Sequence, residues 1–160
     1  MQLRRADVLR VARETIDAEG LDALQPNQGD RLFPTRPALL AAIADDLLAG
    51  VADAPPAGPW DQRLITFAHR LRRSLLSLRD GARLVTETAA LEPPAQTGAE
   101  ILREAGLPSD TATWTIQALI NYVIGHALEE KSPTDEAARR FDFGLALILD
   151  GIRRLLQRGL

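Results

Sequence analysis

The side chains best suited to hold a small molecule lie between Thr111 and Glu130. Gln117 and Asn121 are one helical turn apart, so on a helix their amides point to the same side. Trp114 and Tyr122 flank them, and His126 follows four residues after Tyr122. A buried amide without a hydrogen-bond partner costs about 1–3 kcal/mol, so two on an inward face call for a ligand or trapped water. Walls are available in Phe67, Leu71 and Leu75, which share one periodic segment, and in Val85 and Thr88, which share another. Ligand sites are mostly apolar, with a few polar groups that set orientation. The expectation is an enclosed, largely apolar pocket lined by these ten residues, with neither metal nor organic cofactor. The competing reading makes the apolar members plain core and leaves the polar ones satisfied locally.

His126 could serve as a proton donor or base, but nothing accompanies it. The chain has no G-x-S-x-G, no glycine-rich phosphate loop and no H-E-x-x-H, which argues against an enzyme more than for one. His69 lies among Arg70, Arg72 and Arg73 and reads as surface. The absence of cysteine excludes disulfides and thiolate metal sites and fits a reducing cytoplasm. A net charge of -3 gives no general attraction to nucleic acid. Arg4 and Arg5, with Arg10 and Arg13, would touch phosphate in a DNA-binding reading and are otherwise a solvated helix face. No stretch reaches the roughly 18 apolar residues of a membrane span, and residues 1–20 carry charges throughout, unlike a signal peptide.

The elements that must position these groups all read as helices. The chain is 46% hydrophobic but only 4% aromatic, so its core is Leu, Ala, Ile and Val. Residues 4–19 carry Leu9, Ala12 and Ile16 on one stripe, and Gly20 stops them. Pro26, Asn27, Gly29 and Pro34 mark a loop. A helix starts near Thr35 and runs towards Val51. "DAPPAGP" (53–59) reads as a linker between a head, 1–52, and a body, 60–160. The helix from Trp60 buries Leu64, Phe67, Leu71, Leu75 and Leu78 and is broken at "RDGA". A further helix runs to about Leu91, "EPPAQTG" is a loop, and a short helix spans 99–105. Two long helices follow, 109–130 and from Pro133 onward. Residues 141–156 are apolar almost all round, so that helix is buried on several sides.

In order and spacing these segments resemble the TetR family of ligand-controlled repressors. "VLRVARETIDAEGLDAL" and "PTRPALLAAIADDLL" are similar to the family's head. "SLLSLRDGARLV", "AGLPSDTATWTIQALINYVIGHALEE" and "FDFGLALILDGIRRLL" resemble the ligand-binding, dimerising core of its tetracycline-repressor branch. The resemblance implies an all-α fold and a two-fold homodimer built on the last two long helices. It also implies a small-molecule ligand that controls operator binding. Tetracycline itself is not expected. That branch binds a magnesium chelate through a histidine where this chain has Val85, and Phe67 stands at a ligand-orienting asparagine. Glu129 matches an acidic residue that the branch supplies from the partner subunit.

The head departs from the family. A helix-turn-helix needs two helices and a 3–4-residue turn, roughly 20 residues between its flanks. Only nine residues, Gln25 to Phe33, separate Leu24 from Pro34. At 1.5 Å per residue they make about two and a half helical turns. Two readings follow: a chain that has lost its DNA reader, or one from which the motif has been removed, which the well-kept flanks favour. The alternative to a repressor is a repurposed binding protein or enzyme without DNA binding.

Overall fold

The computed structural model describes residues 4–25, 32–130 and 132–159. Among them are seven α-helices and no strand: α1 (Arg5–Glu19), α2 (Arg36–Leu47), α3 (Trp60–Leu76), α4 (Gly81–Thr86), α5 (Glu92–Glu104), α6 (Ser109–Glu129) and α7 (Asp135–Arg158), with a 3-10 turn at Leu21–Ala23.

Each boundary has a local cause. Gly20 ends α1 at φ 92°, a conformation that side chains with a Cβ rarely adopt. Thr35 caps α2, its hydroxyl accepting from the N–H of Ala38, and Thr134 caps α7 through Ala137. The segment "EPPAQTG" is helix, the opposite of the loop expected there: Glu92 to Gly98 form the first half of α5. Both prolines fall in the first turn, where N–H groups have no intrahelical acceptor and a missing donor costs nothing. The helix expected to run to Leu91 is the short α4.

α3 buries Leu64, Phe67, Ala68, Leu71 and Leu75 on one stripe against α5 and α6. α5 reaches α6 closely because position 98 is glycine: a Cβ there would lie 2.3 Å from Cδ1 of Ile116. α6 turns Ala112, Ile116, Leu119, Ile120, Val123, Ile124 and Ala127 into the same core. α7 is pinned through Phe141, Leu145, Leu149 and Ile152.

The head meets the body mainly at α4. Arg83 makes a two-pronged ion pair with Asp22 (2.6 and 3.0 Å), and Arg36, which within the head hydrogen-bonds the carbonyls of Leu21 and Leu24, lies 3.9 Å from Glu87. Arg83 holds the Asp22 carboxyl below its ordinary value of 3.8, chiefly through that hydrogen bond. Asn27, Gly29 and most of the nine-residue stretch lie outside the described residues.

Candidate functional site

The ten residues expected around one pocket divide into four groups. Phe67, Leu71, Leu75 and Val85 are fully buried core. Thr88 is half-buried and satisfied locally, its hydroxyl donating to the carbonyl of Val85. Trp114, Gln117 and Asn121 lie on the outer face of α6, with Trp114 70% exposed. Gln117 donates its amide N–H to Asn121 Oδ1 (3.0 Å), so each amide partners the other. The inward-facing amide pair is therefore corrected: the inner face of α6 is filled by Ile116, Leu119, Ile120 and Val123.

Tyr122 and His126 do converge, on a cluster around Phe141. Tyr122 stacks on the Phe141 ring (5.5 Å) and donates its hydroxyl to the Phe141 carbonyl (2.8 Å). Burial raises the Tyr122 pKa. This close approach requires Gly144, where a Cβ would lie 2.4 Å from the Tyr122 hydroxyl. His126 and His69 both meet the ring edge-on at 5.3 Å, and the Arg72 guanidinium lies over it at 5.1 Å. His69 lies at the surface, its side chain 38% exposed, and joins α3 to α7 with Nε2 3.0 Å from Asp142 Oδ1.

The charged centre of the cluster is a pair that sequence reasoning missed. One amino group of Arg72 donates to both carboxylate oxygens of Glu130 (2.7 and 2.8 Å). The side chains are 14% and 2% exposed. The two residues are 58 apart in sequence, so no local pattern could have paired them. His126 Nδ1 lies 3.5 Å from Glu130 Oε2. That atom and Arg72 Nε are buried without a hydrogen-bond partner among the described residues.

Glu130 borders two clefts. One, of about 240 Å³, includes Tyr122, His126, Arg140 and Gly144. The other, of about 430 Å³, lies between the α3–α4 turn and the end of α6 and includes Leu75. Glu129 is exposed beside the first.

The basic patch of the head is largely engaged. Arg10 pairs with Glu14 and Arg13 with Asp46. Arg5 places its guanidinium 5.0 Å from the centre of the Phe33 ring. Arg4 precedes the first turn of α1, where its carbonyl accepts from Asp7 and Val8.

Opposite the core, α6 and α7 expose Trp114, Leu128 (56%), Phe143 (68%) and Leu147 (59%). Positions 114, 121 and 128 repeat every seven residues, and 143 and 147 are one turn apart, which is the pattern of a helix-packing seam. Gly125 and Gly151 face open space on the same helices.

Residues 52–140 match the family described as tetracyclin repressor-like, C-terminal domain. The tetracycline repressor protein class A from transposon 1721 of Escherichia coli is 28% identical, over 98% of this chain and 94% of its own length. That alignment runs over 204 positions against 160 residues here, so the relative carries internal stretches with no counterpart in this chain. A single-site variant of TetR from Acinetobacter baumannii AYE, crystallised with minocycline, superposes with a TM-score of 0.81 at 29% identity, over 96% of this chain and 98% of that one. A BioQ crystallised with its double-stranded DNA operator superposes with a TM-score of 0.76 at 27% identity, over 94% and 98%. Among the described residues no helix is long and apolar enough to cross a membrane. With over half its length inside the family match, this chain belongs to the TetR family of transcriptional regulators.

Proposed function

We propose that the chain works as a homodimeric, ligand-responsive regulator in the cytoplasm, with the body (60–160) holding both the ligand and the dimer contact. The observation that carries this reading is the exposed apolar seam of Trp114, Leu128, Phe143 and Leu147 on α6 and α7. A patch of this kind on a monomer marks an interaction surface, and a seam two helices wide is self-complementary about a two-fold axis. The ligand is a small, mostly apolar molecule; that a small molecule binds at all is supported by the TetR variant crystallised with minocycline. Sedimentation equilibrium at micromolar concentration tests the reading: a dimer is expected for the native chain and a monomer for Leu147→Glu. A monomeric native chain overturns it.

A second reading, a binding protein that no longer reads an operator, is favoured by one observation. The nine residues between Leu24 and Pro34 cannot hold two helices and their turn. On this reading Arg4 and Arg5 meet DNA only as phosphate contacts, which carry no sequence information.

A further inference from the structure

Position 121 carries an amide where a helix seam ordinarily carries an apolar side chain. The outer face of α6 runs through Trp114, Ala118, Asn121, Gly125 and Leu128, all exposed. They follow one another at alternating intervals of four and three residues, the spacing of helix-on-helix packing. The face is arranged about its middle. The bulky Trp114 and Leu128 lie about 10 Å along the helix to either side of Asn121, and the small Ala118 and Gly125 stand between. Glycine inside a helix is destabilising relative to alanine. Nothing in the protomer requires one at 125, where a Cβ would meet no atom within 4 Å, so the room it leaves faces outward.

Asn121 is held ready for one pairing. Gln117 donates to its Oδ1 (3.0 Å), which fixes the acceptor end of the Asn121 amide. Both Nδ2 hydrogens and the second lone pair of Oδ1 remain, and among the described residues neither amide makes another hydrogen bond. Under a wholly apolar partner these groups would lose water and gain no partner. A second Asn121 carries the matching donors and acceptor, so two such amides can each donate to the other. In a two-fold dimer a residue meets its own copy only beside the axis. We propose that Asn121 is the register pin of the homodimer: the two-fold axis passes beside it, the two Asn121 amides pair, and the seam accepts a second copy of this chain in a single register. A lone polar residue in an apolar helix seam sets register and oligomeric state in this way, at some cost in affinity. Asparagine is short, so the pairing needs the close helix approach that Ala118 and Gly125 permit. The proposal rests on reading the seam as the dimer contact and gives that contact its centre.

Charge complementation between subunits tests it. The Asn121 side chain lies on the exposed face of α6, so replacing it leaves the protomer core intact. Asn121→Asp and Asn121→Lys should each weaken dimerisation about tenfold or more by sedimentation equilibrium, because like charges meet at the axis. An equimolar mixture of the two should dimerise as tightly as the native chain, since every mixed dimer sets one charge against its opposite. Asn121→Leu should dimerise at least as tightly as the native chain, because the pin costs affinity. Charged variants of native affinity, a mixture no tighter than either variant alone, or a weakened Asn121→Leu dimer overturns the inference. A monomeric native chain would fail the dimer reading itself, whereas a dimeric native chain with an unrestored mixture fails only the placement of Asn121.

Discussion

Arg72→Met should be among the most damaging substitutions outside the apolar core. The Glu130 side chain is 2% exposed and takes two hydrogen bonds from one Arg72 amino group. Removing the guanidinium leaves a desolvated carboxylate with no cation, and truncating one partner of a buried pair costs about 3–5 kcal/mol. Loss of the cation–π contact with Phe141 adds about 0.5–1 kcal/mol, partly offset by the apolar methionine. For a chain of this size each kcal/mol moves Tm by about 2–4 °C, so a fall of roughly 6–20 °C is expected. The melts must be run at fixed protomer concentration, because dimer stability depends on it. Adding Glu130→Leu should recover most of the loss, since exchanging both partners for apolar residues is often neutral. A single-variant cost below about 1 kcal/mol, the range of surface pairs, would refute the reasoning. So would a double variant no more stable than the single one.

Gly144→Ala should cost about 1–3 kcal/mol in chemical denaturation, because its Cβ would collide with the Tyr122 hydroxyl and break that hydroxyl's bond to the Phe141 carbonyl. The Asp22–Arg83 pair should make head docking acid-sensitive. The folded Asp22 value is depressed, so its contribution is present above the ordinary value of 3.8 and lost as pH falls through the folded value. The stability difference between the native chain and Asp22→Asn should therefore shrink from pH 5 towards pH 3, and a difference that grows would contradict this. Magnesium should not raise the affinity for tetracycline by titration calorimetry, because Val85 is a fully buried apolar side chain that cannot ligate metal.

Much of the fold was legible because α3 is one-sided: Leu64, Phe67, Leu71 and Leu75 repeat at helical spacing; α7, expected to be buried on several sides, instead buries one stripe through Phe141, Leu145, Leu149 and Ile152 and leaves Phe143 and Leu147 exposed. α6 was legible as a helix but not in its orientation. It carries one apolar stripe through Ile116, Ile120 and Val123 and a second through Trp114 and Leu128, so Gln117 and Asn121 could sit beside either. The core took the first stripe, and the amides went out with the second. The double proline at 93–94 reads as a breaker unless it falls in a helix's first turn, which depends on where α5 begins. The Phe141 cluster was invisible for another reason: Arg72, Glu130 and Phe141 come from three separate stretches of the chain, and only tertiary packing brings them together.

The second reading rests on a head whose nine residues between Leu24 and Pro34 cannot hold two helices and their turn. Its most direct test is selection of duplexes from a random-sequence pool by the dimer, followed by anisotropy titration across salt. No enriched sequence is expected, and binding should be weak and fall steeply as salt rises, as phosphate-driven contacts do. Enrichment of one palindromic operator, still bound at about 0.2 M salt, would contradict it.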